Sequence, residues 1–591
     1  MKPYSRNRRK GFNRITLIKV LFLILTGLVI GKLFYLQVLK HDFYLSRAES
    51  RHVQLKELTP ERGGIYTLAY DKDSQKEKLY PLAINQQLYL LYGVPAEIKD
   101  ATATIELIER VLPMTDEKRW QIFLRLNKKD PYEPIHHYVT QEQKEKIEKL
   151  FAQNKSASGG SIKEIGFKPE TKRVYPQNNL FSHVLGFLGY EGDKRVGQYG
   201  IEEYFENDLA GREGKLKIEK DLRGRLISFG QTEVIPVQNG ADLILTLDPA
   251  VQFKACSVLS EWIEKTAAED GTAIVLDPGS GQILAMCNKP DFDLNNYSHV
   301  EDINIYSNKA ISQAYEPGSI FKAITMAAAI DLERVEPNTT FEDKGFVQFG
   351  SDIIRNANNK VYGQVSMVKV LEDSINTGAV FAALKCGKKN FKKYVEKFGF
   401  GKKTGISLPA ESPGDISSLN YKSDIYTATA SYGQGIMTTP LQMIMAYGAI
   451  ANGGILMKPQ IVLEKRYPNG KVEKFEPKQV RRVISSKTAN VLKAMLVSVV
   501  KNGHGSRAGV KGYYVAGKTG TANIARRGGK GYTQETNHTF IGFAPVDNPK
   551  FVTLVKLSKP KNVRFSSDSA APAFAEIAEF LLHYYQVPPD F

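Results

Sequence analysis

The longest uninterrupted apolar segment lies close to the N-terminus. Residues 20–39 read VLFLILTGLVIGKLFYLQVL, in which Lys32 is the one charged residue. A helix of about twenty residues rises about 30 Å, the thickness of the hydrocarbon core of a bilayer. The segment exceeds the usual core of a signal peptide, and no small-x-small cleavage site follows it. The pattern therefore predicts an uncleaved signal anchor that crosses the membrane.

Between residues 40 and 235 short strand-like runs alternate with charged helices. A strand pattern covers residues 88–92, and amphipathic helical patterns cover 115–127 and 139–153. The polar, glycine-containing stretch 154–161 is typical of an exposed loop. No dense apolar core pattern is visible in this region.

The remaining chain, residues 236–591, has longer apolar runs. They predict a strand at 243–247, a helix from Pro249, a hairpin of 272–276 with 283–286, a strand pair of 539–544 with 551–557, and a closing helix near 571–584. Strands from both ends of this region would form an antiparallel sheet packed with helices, with an all-helical lobe between them. We therefore predict an α+β fold.

Composition and charge agree with a folded, multidomain membrane protein. At 591 residues the chain is too long for one core, and 42% hydrophobic with 24% charged residues is typical of globular domains. Within residues 1–19 stand Lys2, Arg6, Arg8, Arg9, Lys10, Arg14 and Lys19, with no acid among them. A nucleic-acid-binding tail is the alternative, but the adjacent apolar span favours a cytoplasmic tail that leaves everything after about residue 40 outside.

Cysteine and histidine give no sign of a cofactor. Cys256, Cys287 and Cys386 are too few for a disulfide framework or a zinc site, and one bridge remains open. The nine histidines show no H-x-x-x-H spacing, so no metal centre is expected.

Residues 316–322, Glu-Pro-Gly-Ser-Ile-Phe-Lys, have the features that serine acyl transfer requires. Such chemistry needs a rigidly held hydroxyl, a base within reach and donors directed at the developing oxyanion. Pro-Gly predicts a turn and the following residues a buried helix, which places Ser319 at a helix N-terminus, where free amides favour negative charge. Lys322 follows one turn later on the same face, and burial lowers the pKa of a lysine toward that of a usable base.

The S-x-x-K pattern alone is not specific, because it also occurs at 366–369, 498–501 and 558–561. The first two copies lie in amphipathic helical context with no turn before the serine. Pro560 interrupts the third. Ser319 alone opens a buried helix.

Two further triplets follow in chain order. They are Ser374-Ile-Asn376 and Lys518-Thr519-Gly520, the latter continuing into Thr521. Each has a second copy, at 418–420 and 403–405, and the copy at 403–405 stands in the context of a surface turn. Residues 515–522 instead predict a strand whose glycines let a substrate backbone lie close, with a cation and two hydroxyls suited to a carboxylate.

The set S-x-x-K, S-x-N, K-T-G resembles that of the penicillin-binding proteins and serine β-lactamases. Further stretches that look like transpeptidase-domain signatures are 308–310, 398–401, 431–435, 439–443, 451–454 and 516–522. Five upstream stretches resemble the extended, non-catalytic pedestal of class B, monofunctional penicillin-binding proteins. They are residues 62–66, 173–176, 183–187, 200–202 and 209–211. One departure is Tyr66-Thr67-Leu68, where the family usually has x-Asp-Arg. We expect these pedestal residues to serve interdomain packing rather than chemistry.

The resemblance implies a role for each motif residue in cross-linking D-Ala-D-Ala stem peptides, without cofactor or metal. Ser319 matches the nucleophile, Lys322 its base, Ser374 the relay to the leaving amine, and Asn376 the amide that holds Lys322 and the substrate backbone. Residues Lys518, Thr519 and Thr521 match the carboxylate-binding strand that includes Gly520. The backbone amides of Ser319 and Thr521 match the oxyanion hole.

The expected function is a D,D-transpeptidase of bacterial cell-wall synthesis, anchored in the cytoplasmic membrane and bound by β-lactams. The size of the chain, its basic tail and the 183–187 motif resemble the division-type FtsI group more than the elongation type. This resemblance implies an FtsW-like glycosyltransferase and the division machinery as partners. Alternatives are an elongation-type transpeptidase of the side wall, a D,D-carboxypeptidase and a β-lactam-binding sensor. The anchor and long pedestal argue against a β-lactamase, and residues 40–235 lack the signature of a glycan polymerase.

Overall fold

A computed structural model describes residues 14–41, 53–71, 76–128, 130–158, 164–192, 194–219, 233–526 and 531–591. Most of the predicted basic tail, residues 1–13, lies outside this part of the chain.

The described strands, numbered along the chain, are β1 (Val53–Leu58), β2 (Ile65–Asp71), β3 (Lys76–Gly93), β4 (Glu133–Val139), β5 (Ile165–Val174), β6 (Phe187–Glu191), β7 (Lys194–Gln198), β8 (Gly214–Glu219), β9 (Glu233–Ile235), β10 (Asp242–Leu245), β11 (Asp270–Leu276), β12 (Ile283–Lys289), β13 (Thr340–Asp343), β14 (Phe346–Phe349), β15 (Asp352–Arg355), β16 (Gly363–Ser366), β17 (Ile455–Met457), β18 (Val462–Arg466), β19 (Val472–Lys474), β20 (Gln479–Arg482), β21 (Ala516–Ala525), β22 (Tyr532–Ala544) and β23 (Phe551–Ser558).

The described α-helices, numbered in the same way, are α1 (Arg14–Phe34), α2 (Ala101–Glu109), α3 (Asp116–Leu126), α4 (Gln141–Ser158), α5 (Ser182–Leu185), α6 (Gly200–Tyr204), α7 (Glu206–Leu209), α8 (Pro249–Thr266), α9 (Lys309–Ser312), α10 (Lys322–Asp331), α11 (Met367–Glu372), α12 (Asn376–Cys386), α13 (Lys388–Lys397), α14 (Asp424–Ser431), α15 (Pro440–Ala451), α16 (Ser486–Asn502) and α17 (Ala570–Tyr584).

The first of two compact units comprises residues 1–61 and 211–239. Its helix α1 continues into a π-helical turn, Tyr35–Leu39. Residues Leu17–Leu39 have a mean hydropathy of 2.3 and form the one helix of the described chain that is long and apolar enough to cross a membrane. The predicted span is therefore present as an N-terminal apolar helix. Strands β1, β8 and β9 form a small antiparallel sheet in the same unit.

The second unit comprises residues 62–210 and 240–591 and contains two larger sheets. In the first sheet, β10 pairs in parallel with β2 and antiparallel with β18, so one sheet includes strands from before and after residue 236. Strands β3, β4 and β5 extend it, and helices α2 to α4 pack around a separate apolar cluster that includes Leu91, Ile105 and Ile147. The sequence shows no dense core pattern between residues 40 and 235, but the structure has an apolar core there. The pattern was missed because the apolar residues belong to short strands and helices, which differ in periodicity, and they come together only in the folded domain.

The second sheet is antiparallel, with the order β12-β11-β23-β22-β21. It confirms the two predicted strand pairs and the prediction that both ends of the region build one sheet. Successive residues of a strand point to opposite faces. Ala273 and Val275 accordingly join the core with α8 and α17, whereas Ile274 and Leu276 join the core with α10 and α15. The helical block between β12 and β21 completes the predicted α+β fold.

Two local features qualify the sequence predictions. Helix α4 continues to Ser158, so the loop predicted over 154–161 is wrong up to that residue, while 159–163 lie outside the described chain. The bridge that the cysteine count left open joins Cys256 on α8 to Cys287 on β12, and Cys386 is free and buried.

The pedestal motifs form buried structural contacts. Glu202 is fully buried and accepts hydrogen bonds from Arg173 Nε at 2.9 Å and from Arg62 Nε at 2.8 Å. These two cations hold the pKa of the Glu202 carboxyl below its usual range despite the opposing effect of burial. Thr67, at the position where the family usually has Asp, directs its hydroxyl at the carbonyls of Leu245 and Leu247, at and just after the end of β10.

Candidate active site

Ser319 stands on a 3₁₀ turn, Gly318–Phe321, that leads directly into α10. Gly318 has φ +59°, a conformation that favours glycine, and its amide donates to the Gly433 carbonyl at 3.0 Å. The turn therefore fixes the serine rigidly. Ser319 is half-buried and borders a cavity of about 480 Å³.

Lys322 lies beneath this cavity and is only 1% exposed. Its ammonium donates to Asn376 Oδ1 at 2.8 Å and to Ser374 Oγ at 3.2 Å, and also to the Ser374 carbonyl. Burial lowers its pKa well below the ordinary lysine value, and the charge of Lys518 adds to this shift. A lysine whose pKa is lowered in this direction gives up its proton more readily, as a general base must.

Ser374 and Asn376 stand on the tight connection between α11 and α12. Ser374 has φ +56°, a left-handed conformation that is uncommon for a serine and that is found often at functional sites. Asn376 opens α12, and its amide nitrogen donates to the Arg355 carbonyl at 3.0 Å. The S-x-N motif is thereby held between Lys322 and the chain around Arg355.

Strand β21 is the edge strand of the antiparallel sheet and carries the K-T-G motif opposite the serine turn. A Cβ at Gly520 would approach Ile320 Cγ2 to 2.9 Å and the Pro317 carbonyl to 3.2 Å, so only glycine lets the strand lie this close. Thr519 and Thr521 border the cavity. The Thr521 hydroxyl is fixed by Ser566, whose amide donates to it at 3.0 Å.

Lys518 is fully buried and does not itself line the cavity. Its ammonium donates to the Thr519 carbonyl at 3.2 Å and lies 3.4 Å from the Thr519 hydroxyl. Burial lowers its pKa to about 7. Lys518 thus lies behind Thr519, which borders the cavity.

The structure thus brings all eight predicted site residues to one place and leaves the other S-x-x-K serines elsewhere. Ser366 caps α11 by accepting the Lys369 amide. Ser498 donates to Glu372 from α16, and Ser558 ends β23. The K-T-G copy at 403–405 is a loop whose Thr404 and Gly405 amides donate to Glu411.

Several cavity residues escaped the sequence reasoning. Tyr432 borders the cavity from the 431–435 signature, which the sequence identified without assigning it a role. His504, whose pKa is lowered mainly by burial, and Ser566 also border the cavity. The sequence did not indicate them, because both lie outside the three motifs and reach the cavity only in the folded domain. The same holds for the wall around Arg355 and Asn356.

Comparison with known proteins agrees with this fold. Residues 271–579 match the family described as penicillin binding protein transpeptidase domain, and residues 57–245 match the penicillin-binding protein dimerisation domain. Stage V sporulation protein D of Bacillus subtilis is 32% identical over 97% of this chain and 86% of its own length. The probable peptidoglycan D,D-transpeptidase PenA of Neisseria gonorrhoeae is 27% identical over 100% of this chain and 94% of its own.

Among solved structures, penicillin-binding protein 3 of Mycobacterium tuberculosis complexed with aztreonam is similar with a TM-score of 0.67 and 25% identity, covering 91% of this chain and 98% of that one. A dimerisation domain followed by a transpeptidase domain with a serine site defines a penicillin-binding transpeptidase. The chain belongs to the class B penicillin-binding proteins. It is a peptidoglycan D,D-transpeptidase of serine type.

Proposed function

We propose that the reaction proceeds through an acyl-enzyme on Ser319. The Ser319 oxygen attacks the carbonyl of the penultimate D-Ala of a stem peptide, forming an ester while the amide bond to the terminal D-Ala breaks. The serine proton passes to Lys322 and, by way of Ser374, to the leaving amine. An amine of a neighbouring strand then attacks the ester, a new amide forms, and Ser319 regains its proton.

The observation that carries this proposal is the placement of a rigid serine hydroxyl one helical turn from a buried lysine of lowered pKa. In the proposed complex, Asn376 holds Lys322 and the peptide backbone, and the amides of Ser319 and Thr521 stabilise the oxyanion. Thr519 and Thr521, beside Gly520 and backed by the Lys518 charge, bind the terminal carboxylate. Neither cofactor nor metal takes part in this scheme.

Labelling with a fluorescent penicillin tests the nucleophile. Ser319→Ala removes the attacking oxygen, so covalent labelling of the full-length protein in detergent should be lost. Ser366→Ala, Ser498→Ala and Ser558→Ala should all retain labelling, because these serines do not border the cavity. Mass spectrometry should locate the acyl group on Ser319, and an acyl group on another serine would refute the assignment.

The cellular role is also a proposal. We place residues 1–19 in the cytoplasm and the membrane span at residues 20–39. The pedestal, residues 40–235, and the transpeptidase domain, residues 236–591, then lie on the outer side of the membrane. The domain acts in septal synthesis beside an FtsW-like glycosyltransferase and the division machinery. The name of the Bacillus subtilis relative refers to sporulation, and its similarity over 97% of this chain makes a sporulation role the second candidate.

Localisation of a fluorescent fusion separates these roles. The septal proposal predicts a band at midcell in growing cells that disappears when division is blocked. Signal along the side wall would instead support an elongation-type enzyme, and expression confined to sporulating cells would support the second candidate.

A further inference from the structure

A buried carboxylate outside the three motifs joins the cavity wall to the S-x-N motif. Asp343 ends β13 and is only 1% exposed. Its Oδ1 accepts from the Gly345 amide at 2.9 Å and from the Thr377 hydroxyl at 2.7 Å. Its Oδ2 accepts from Asn356 Nδ2 and from the Tyr362 amide, both at 2.9 Å. A buried carboxylate is stable only when its oxygens are satisfied in this way.

Asp343 accepts from two segments that are separated in sequence and meet at the site. Asn356 and Tyr362 flank the segment that forms one wall of the cavity, which also includes Arg355 and Lys360. Thr377 directly follows Asn376 in the first turn of α12. Asp343 therefore holds together two parts of the chain that are not adjacent in sequence.

The same wall directly holds Asn376. The Arg355 carbonyl accepts from Asn376 Nδ2 at 3.0 Å, and Asn356 Oδ1 accepts from the Thr377 amide at 3.1 Å. Because Asn376 Nδ2 is engaged by the wall, Asn376 Oδ1 is directed at Lys322, from which it accepts at 2.8 Å. Hydrogen bonds thus join Asp343 to Asn356 and Thr377, which are the chain neighbours of Arg355 and Asn376. Further hydrogen bonds join Asn376 to the Arg355 carbonyl and to Lys322.

We propose that Asp343 is a positioning residue of the transpeptidase, which orients Asn376, and through it Lys322, by fixing Thr377 and the wall at Asn356. The proposal rests on the roles proposed above for Lys322 and Asn376. Asp343 itself touches no reacting atom. Loss of its charge leaves buried donors without their acceptor, and the wall and α12 then separate or rotate.

Two nearly isosteric substitutions test this coupling in the full-length protein. Asp343→Asn removes the charge, and Thr377→Val removes the hydroxyl at similar volume. Each should slow the limiting rate of acylation by a fluorescent penicillin on the order of tenfold to a hundredfold, the range for a charge-assisted hydrogen bond. Thr377→Ser should recover the rate lost in Thr377→Val. The double variant should be hardly slower than the slower single variant, because both changes weaken the same contact between Asp343 and Thr377.

The pH profile separates positioning from mere support of the fold. Asn376 Oδ1 accepts from Lys322 and so stabilises its protonated form. A displaced Asn376 should therefore lower the pKa of Lys322. The acidic limb of the pH profile, where acylation slows because Lys322 is protonated, should then move to lower pH. Lys518 and His504 also act on this site, and both remain in every variant. Asp352→Asn is the control, because it changes an exposed carboxylate on the neighbouring strand β15. It should change neither the acylation rate nor the position of the acidic limb.

Thermal unfolding of each variant shows which fraction is folded under the assay conditions. A rate that falls only in proportion to the folded fraction, with an unchanged acidic limb, would overturn the proposal, and so would wild-type acylation by folded Asp343→Asn. If the wild-type protein were not acylated on Ser319 at all, the proposed mechanism itself would fail. The two failures are therefore distinguishable.

Discussion

At the residue scale, the site is unusual in burying two lysines close together. Lys322 and Lys518 are both almost fully excluded from solvent, and the charge of Lys518 contributes to the low pKa of Lys322. Because burial lowers the Lys518 pKa to about 7, its charge in the free protein is present below that pH and lost above it. The strength of carboxylate recognition should therefore depend on pH.

A stem-peptide substrate amidated at its C-terminus checks this dependence. We expect the amide to be acylated on the order of tenfold to a hundredfold more slowly than the free acid at pH 6, the value of one charge-assisted contact. The preference in kcat/KM should decline as the pH rises above about 7, because Lys518 loses its proton there. In Lys518→Ala the preference should be small at every pH.

Lys518→Arg provides the matched control, because a guanidinium does not lose its proton in the accessible pH range. If this variant is folded and active, it should keep the preference for the free acid at pH 8 and above. A wild-type preference that does not change with pH, or one that survives in Lys518→Ala, would show that this lysine does not contribute to carboxylate recognition.

At the element scale, the site depends on how closely strand β21 approaches the turn before α10. The approach is set by Gly520, where a Cβ would lie 2.9 Å from Ile320 Cγ2 and 3.3 Å from the Ile320 amide nitrogen. The Ile320 nitrogen belongs to the backbone of the turn, and Cγ2 is attached to the branched β-carbon of the buried Ile320, so neither atom yields as the end of a flexible side chain can. The element pair is therefore sensitive to a single methyl group.

Gly520→Ala should push β21 away from Ser319 and slow acylation by penicillin at least about tenfold, because a small displacement of reacting groups strongly lowers the reaction rate. Gly279→Ala is the control, because its Cβ would meet only the flexible Asp277 side chain, at 3.3 Å. It should acylate like the wild type. Normal acylation by Gly520→Ala would mean that the strand can retreat without disturbing the site.

At the scale of the whole molecule, one apolar helix near the N-terminus follows a strongly basic segment. The positive-inside rule supports the proposed orientation, in which the catalytic domain lies on the outer side of the membrane. Peptidoglycan lies on that side, so the proposed topology would bring the site to its substrate.

Protease added to intact spheroplasts should therefore remove the C-terminal domain from the membrane fraction, as detected with an antibody to residues 571–591. Replacing the Lys and Arg residues of positions 2–19 with Gln should reduce this accessibility, because the charge bias that orients the span is lost. Complete protection of the wild-type domain while the membrane is intact would refute the proposed orientation.

The sequence by itself determined the features that depend on local pattern. The apolar span, the hairpin of β11 with β12, the strand pair β22 and β23, and the closing helix α17 follow from periodicity and turn residues. The prediction that Ser319 is the nucleophile among four S-x-x-K copies also came from local context, because only that copy has a turn before a helix that is apolar on nearly all faces.

Only the tertiary structure decided which distant residues share the site and what each one contacts. The core around Leu91 and the contacts of Asp343 with Asn356 and Thr377 join segments that are separated in sequence. The fold also buries Lys518 while its neighbour Thr519 borders the cavity. Periodicity reports which face of one element is apolar, but not which other element covers that face. A buried carboxylate such as Asp343 therefore cannot be told from an exposed one until its donors are in place.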